Sequence, residues 1–302
     1  MDYLDGRIVE VYGESGCGKS TFSGMLCASS QKIYPNEAVL YIDAENAVDV
    51  DYFRQLGVNF DTDLFYFVQP DSGEDAIDIV NSAVEAGFFS LIIVDSIPAL
   101  VSKAEFASDA EDVVIAPMAK LLARALKRIN SQKSKNTLTV FVNQTRETIG
   151  FGGASTPGGK AVKFFPSLRI EMKRTGLLTR GDNVIGHTIK YNLVKNRFGS
   201  PYAKTDVNLY YGKGINKREE LVDIILDKSS GLSVRGGAYY TIKGPGDEDI
   251  RLMGRTNIEE YLFSDEAITL HFEKQVENYL DNMGKTSATE VAEEEPEPTE
   301  DE

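Results

Sequence analysis

Residues 13–20 read GESGCGKS, which satisfies the spacing G-x-x-x-x-G-K-S, and they stand between an apolar, β-branched run at 8–12 and a helical stretch from Ser20. A strand, a glycine-rich turn and a helix in that order make a phosphate cradle. The glycines let successive backbone N–H groups curl around an anion, and the helix N-terminus adds the positive end of its dipole. Gly13, Glu14, Ser15, Gly16, Cys17 and Gly18 would supply the wrap, Lys19 would reach the β- and γ-phosphates, and the Ser20 hydroxyl would ligate Mg²⁺. ATP and Mg²⁺ are therefore the expected cofactors. The same loop limits the fold, because it opens a unit in which parallel strands alternate with covering helices.

The chain keeps that rhythm up to residue 142. Strand-like runs at 8–12, 39–42, 64–68, 91–94 and 138–142 alternate with helix-like stretches at 20–29, 49–56, 73–86 and 117–130. Near-continuous hydrophobic strands separated by helices predict an α/β architecture with a mainly parallel central sheet buried on both faces. Runs at 168–173, 188–194 and 206–211 are separated by turns, which predicts an antiparallel extension of that sheet. From Lys217 a small α+β region begins, with helices expected near 218–226 and 265–282. The expected organisation is an ATPase core over 1–216, a small carboxy-terminal domain over 217–285 and a disordered acidic tail over 286–302. That tail has eight acids, one valine and no aromatic residue, too little apolar surface to offset the entropy of ordering.

Charge is segregated along the chain. The net charge is −15, yet residues 1–117 carry −16 and residues 118–200 carry +13. Global acidity argues against a protein that coats nucleic acid by overall attraction, whereas the basic block admits a local positive surface. Composition alone leaves that block open between a nucleic-acid surface and scattered solvated side chains. Two cysteines cannot build a disulfide framework, the apolar run at 88–94 is far short of a membrane span, and the first ten residues lack a signal core. A cytoplasmic protein without membrane contact is expected.

A phosphate loop needs a carboxylate for its metal and a group to orient water. LIIVDS ends a buried strand in Asp95, where the carboxyl ends of parallel strands meet a ligand crevice, so Asp95 is the candidate metal carboxylate, direct or through water. YIDAE ends another strand and puts Asp43 and Glu45 at the same edge. Glu45 is the better candidate for the group that accepts a hydrogen bond from an attacking water and holds it in line.

Eight segments in one order resemble the bacterial RecA recombinase family across about residues 6–285: GRIVEVYGESGCGKS, YIDAENAVDVDY, QPDSGEDAIDI, LIIVDSIPALVSKAE, NTLTVFVNQTRETIG, GGKAVKFFPSLRI, LVKNRFGSPY and YGKGINKREELVD. The resemblance implies a RecA-like core with DNA-dependent ATPase activity. It further implies binding to single-stranded DNA, assembly into a helical homo-oligomer, and pairing with homologous double-stranded DNA for strand exchange in recombination and repair. By the same resemblance Lys19, Ser20 and Thr21 match nucleotide-loop residues, Glu45 the catalytic glutamate, Asp49 and Tyr52 the adenine contacts, and Asp95 the metal-site aspartate. Gln144 matches a glutamine that senses the γ-phosphate and relays its presence to a DNA loop. Lys195 and Arg197 match a basic pair that reaches the γ-phosphate of the neighbouring subunit. Lysine is common in the family where Arg197 stands, a change that keeps charge and alters geometry.

Residues 105–117 align with the family's first DNA loop but are acidic here, with Ile115 at the position of an apolar wedge. Residues 146–160 match the second loop, where Arg146, Gly158, Gly159 and Lys160 would meet a phosphate backbone and Phe151 would enter a base step. Lys120 and Arg124, one helical turn apart, would add phosphate contacts, and Phe164 matches a subunit-interface residue. The family carries a helix and a strand before its core, whereas MDYLD precedes GRIVEVYG here. Another surface supplies that contact, or the chain is a fragment, or assembly is weak. Two further functions fit the same core: a regulatory, assembly-defective ATP-binding protein, and a ring helicase, against which NQTR and the glycine-rich second loop speak. Cys17 is either a small residue that fits the loop or a thiol acidified by the helix end. Cys27 reads as core, and His187 and His271 have no Cys or His at ligand spacing, so no metal is assigned to them.

Overall fold

All six residues of β1 (Ile8–Gly13) are buried, because the strand lies between two parallel neighbours, β5 (Leu138–Gln144) and β6 (Leu168–Arg180). The computed structural model describes residues 6–103, 117–132, 136–145, 156–199 and 201–293. The expectations placed on Ile115, Arg146 and Phe151 lie outside the described residues. The remaining strands of the sheet are β2 (Ala38–Asp43), β3 (Phe65–Val68), β4 (Phe89–Asp95), β7 (Asn183–Asn196), β8 (Lys204–Tyr210) and the two-residue β9 (Gly214–Ile215). The order is β3-β2-β4-β5-β1-β6-β7-β8-β9. Pairings from β3 through β6 are parallel, and β6–β7 and β7–β8 are antiparallel. This is the α/β fold that the alternating pattern predicts, with its antiparallel extension.

Alternation along the strands sends side chains into two apolar layers. Leu40, Ile42, Ile92, Val94 and Phe141 pack on one face against α3 (Gly73–Ala86) and α4 (Pro117–Ser131). Val39, Tyr41, Leu91, Ile93, Val140 and Val142 pack on the other against α1 (Lys19–Ile33) and α2 (Val50–Gln55). Each fully buried aliphatic side chain contributes roughly 1.5–3 kcal/mol, which is why strands covered on both faces read as continuous apolar runs. Helix α3 starts where the Ser72 hydroxyl accepts a hydrogen bond from the Asp75 backbone N–H and stops at Gly87 in the left-handed region, φ 62°.

The chain divides into two compact units, Met1–Arg197 with Pro201–Gly214, and Phe198–Ser200 with Ile215–Glu302. The second unit holds α6 (Lys217–Leu226), the antiparallel sheet β10 (Ser233–Gly236), β11 (Tyr239–Lys243) and β12 (Asp249–Met253), then α7 (Gly254–Leu262) and α8 (Glu266–Glu293). Val222, Ile225, Ile242, Ile258, Leu262 and Phe272 form its core. Acidic composition predicts disorder from residue 286, whereas α8 runs on to Glu293. Extending a formed helix costs far less than starting one, and TSATEVAE contains no proline to stop it. The sequence pattern also missed the short helix α5 (Gly159–Phe164). Among the described residues no helix is long and apolar enough to cross a membrane.

Candidate functional site

Strand register brings the candidate residues to one edge of the sheet. Gly13 at the end of β1 pairs with Gln144 at the end of β5, and Asp43 at the end of β2 pairs with Asp95 at the end of β4. The loop after β1 is tightly confined. A Cβ on Gly13 would lie 2.1 Å from the Met172 carbonyl oxygen on β6, and Gly18, at φ 97°, has Leu209 and Ile189 side-chain carbons within 2.8 and 2.9 Å of where its Cβ would stand. Glycine is required at both positions, by close approach at the first and also by backbone conformation at the second.

Lys19 opens α1, and its side chain is held in the mouth of the loop. Its Nζ donates to the carbonyl oxygens of Glu14 at 2.7 Å and Gly13 at 3.1 Å. Next to it, the Ser20 hydroxyl donates to Asp95 Oδ2 at 2.9 Å, and the buried Tyr41 hydroxyl donates to the same oxygen at 2.8 Å. Burial pushes the Asp95 carboxyl above its usual range; the Tyr41 and Ser20 hydrogen bonds oppose that rise and the Glu45 and Asp43 carboxylates add to it. A cation at this point would relieve the strain of a buried negative charge. Among the described residues no group of three or more His, Cys, Asp or Glu could hold a metal alone. The hydroxyl and carboxylate of Ser20 and Asp95 nevertheless suit Mg²⁺, which takes few protein ligands and completes its shell with phosphate oxygens and water.

Glu45 is exposed, and its Oε1 accepts hydrogen bonds from Gln144 Nε2 at 2.9 Å and from the Ser96 hydroxyl. Asp49 caps α2 by accepting from the Tyr52 backbone N–H at 3.0 Å, and the Tyr52 hydroxyl lies 2.9 Å from Thr21 Oγ1. Ser15, Gly16, Gly18, Lys19, Ser20, Thr21, Glu45, Asp49, Tyr52, Asp95 and Gln144 all line one cleft of about 620 Å³. That volume suits a nucleotide. Thus the residues expected to bind nucleotide, metal and water come together, while Glu14 stands exposed beside the cleft and Cys17 faces the core. The acidified-thiol reading of Cys17 is corrected: the side chain is buried, and burial pushes its thiol up in spite of Lys19 nearby.

Residues from β7, β8 and the turn after them complete the cleft and were not anticipated. Leu209, Tyr211 and His187 line it. His187 Nδ1 lies 3.3 Å from the Tyr211 hydroxyl, and burial holds the imidazole below its ordinary pKa. Tyr211 stands at the head of YGKGINKREELVD and Leu209 inside the run at 206–211, whereas nothing in the sequence points to His187 as a cleft residue.

Lys195 and Arg197 lie outside that lining. Lys195 Nζ donates to the Phe164 carbonyl oxygen at 2.7 Å, and Arg197 Nη2 donates to the same oxygen at 3.1 Å. Both cations therefore sit on the carboxyl end of α5, where free carbonyls and the dipole favour positive charge. Burial, then Arg197 and Arg169, lower the Lys195 pKa. Phe164 itself is exposed. Helix α5 packs on α4: a Cβ on Gly158, at φ 95°, would meet Val162 at 2.6 Å and Leu122 at 3.4 Å, and one on Gly159 would meet Ala119 at 3.4 Å. Lys120 and Arg124 on α4 and Lys160 on α5 are exposed, so two packed helices present basic side chains.

Comparison with known proteins gives a consistent result. The profile of the RecA N-terminal domain matches residues 2–216. Protein RecA of Pseudomonas putida is 38% identical over 287 residues, covering 94% of this chain and 78% of that protein. Protein RecA of Bacillus velezensis is 36% identical over 300 residues, covering 97% of this chain and 83% of that protein. Protein RecA of Heliobacterium modesticaldum is 36% identical over 291 residues, covering 95% and 80%.

Proposed function

Because the chain belongs to the RecA family, we propose that it is an ATP-dependent DNA recombinase that binds single-stranded DNA and pairs it with a homologous duplex. The observation that carries this reading is the hydrogen bond from Gln144 to Glu45 at the open edge of the phosphate-loop cleft. It joins a group suited to orienting water to the strand end from which the second loop departs.

In this reading Lys19 exchanges its loop carbonyls for β- and γ-phosphate oxygens, and the Tyr52 side chain meets the base. Ser20 and Asp95 would hold Mg²⁺, which neutralises charge on the phosphates. Gln144 and Ser96 both bond Glu45 Oε1, which leaves Oε2 to accept a hydrogen bond from the attacking water. Glu45→Gln keeps the shape but removes the acceptor charge. It is expected to lower kcat by about a hundredfold while nucleotide affinity stays within about threefold, as steady-state hydrolysis and equilibrium binding would measure.

Lys120, Arg124 and Lys160 fit a single-stranded phosphate backbone gripped from α4 and α5, with sequence read by pairing between strands. Lys120→Ala and Arg124→Ala should each reduce the slope of log Kd against log salt by about 0.7, measured by fluorescence anisotropy with a labelled oligonucleotide. Unchanged slopes would remove α4 from the DNA face. The proposed activity is tested by strand exchange: with ATP, Mg²⁺ and single-stranded DNA the protein should form joint molecules with homologous duplex and none with heterologous duplex. Directional unwinding of a forked duplex would favour a helicase instead. Nucleotide binding without any DNA response would favour a regulatory relative.

A further inference from the structure

A carboxylate inside the central strand has no part in the chemistry above. Glu10, in the middle of β1, is fully buried. It faces Arg169, its register partner on β6, whose Nε donates to Glu10 Oε2 at 2.5 Å and whose guanidinium lies 4.9 Å from the Tyr12 ring centre. Burying an ion pair rarely gains stability over apolar side chains of equal size; where one is retained, fixing a unique arrangement is the better-supported role. The other Glu10 oxygen, Oε1, accepts from the Asn143 side-chain amide at 2.8 Å.

Asn143 is also fully buried, and it uses every face of its amide. Nδ2 donates both to Glu10 Oε1 and, at 3.0 Å, to the Pro157 carbonyl oxygen, while Oδ1 accepts the Gln144 backbone N–H at 2.9 Å. A flipped amide would set its oxygen against a carboxylate and a carbonyl, so one orientation alone satisfies the site. Three parts of the proposed machinery therefore meet at one rotor. Gln144 bonds Glu45 at the nucleotide cleft. Pro157 immediately precedes Gly158, Gly159 and Lys160 at the start of α5. Arg169 stands opposite Lys195 in register.

We infer that Asn143, clamped by the Glu10–Arg169 pair, is a positioning residue that couples the nucleotide cleft to the carboxyl end of the second loop. The inference rests on the proposed function, since it presumes that nucleotide and DNA binding are linked. A change of partner by Gln144 shifts the backbone N–H that Asn143 Oδ1 accepts. Glu10 cannot follow, because Arg169 holds it, so the displacement is expressed at the Pro157 carbonyl.

The test is a linkage measurement on the full chain. The Kd for labelled single-stranded DNA is measured with a non-hydrolysable ATP analogue and with no nucleotide. Linkage is reciprocal, and coupling of this kind commonly spans about five- to 150-fold. The wild-type ratio is expected to exceed about tenfold. Asn143→Ala is expected to bring it below about threefold while the affinity for the analogue without DNA is unchanged. A merely structural role would lower both affinities and leave their ratio alone. Because Asn143→Ala leaves Glu10 one donor short, a second variant, Glu10→Gln with Arg169→Gln, replaces the ion pair by neutral amides, the first isosteric with the carboxylate and the second shorter than the guanidinium. It too should lower the ratio, with folding checked by thermal melting. A folded variant of either kind that retains the wild-type ratio overturns the relay. A wild-type ratio near one overturns the proposed function, and the relay with it.

Discussion

Lys19→Ala is expected to abolish ATP turnover, with a loss of about a thousandfold or more and a matching fall in nucleotide affinity. The ammonium lies in the mouth of the loop on the carbonyls of Gly13 and Glu14, and among the described residues no other Lys or Arg lines the same cleft. Alanine leaves the backbone cradle and the Ser20–Asp95 pair in place, so the protein should still fold. The loss of two carbonyl hydrogen bonds costs about 1–2 kcal/mol of stability in total, visible as a small drop in Tm. Isothermal titration with ATP and Mg²⁺, paired with a hydrolysis assay, measures both effects. Retained affinity and turnover would mean that the cleft is not the nucleotide site.

The second large effect concerns Lys195 and Arg197. Alanine at both positions is expected to lower DNA-stimulated hydrolysis by about a thousandfold, yet to leave nucleotide binding by the unassembled chain unaffected. Neither side chain lines the cleft of its own chain. Both rest on the Phe164 carbonyl beside an exposed phenyl ring, which suits cations handed to a neighbouring subunit. Mixing separates this from a role within one chain. Glu45→Gln subunits keep the basic pair, and Lys195→Ala/Arg197→Ala subunits keep the glutamate. A mixture of the two inactive variants should therefore recover a fraction of the wild-type rate. No recovery would place the basic pair in service of its own chain.

The features legible in the sequence were those carried by short, contiguous patterns. The phosphate loop, the strand ends at Asp95 and Glu45, and the alternation of apolar strands with helices each depend on a few neighbouring residues, and the mainly parallel sheet with its antiparallel extension follows from them. Their meeting was legible only in outline, because it depends on strand order: Gln144 reaches Glu45 only because β5 lies between β1 and β4. Tyr211 and His187 escaped notice for the same reason. They enter the cleft from β7 and the turn after β8, whose sequence carries no motif for nucleotide. Glu10, Asn143 and Arg169 are separated by more than a hundred residues of chain at one step, and a charged residue inside an apolar strand does not announce its partner. The helix α5 is only six residues long and begins with a left-handed glycine, so it has too few turns to register as a period. Helix α8 outruns its expected end because alanine and glutamate continue a helix well even where acidic composition predicts disorder.

In the proposed function a triphosphate in the cleft and a DNA strand on the basic face answer to each other. ATP hydrolysis by the wild-type chain, measured at fixed Mg²⁺ with and without single-stranded DNA, tests that coupling. A low rate alone and a rise of at least about tenfold at saturating DNA are expected, fading as salt releases the strand. A rate that is the same with and without DNA at every salt concentration would contradict it.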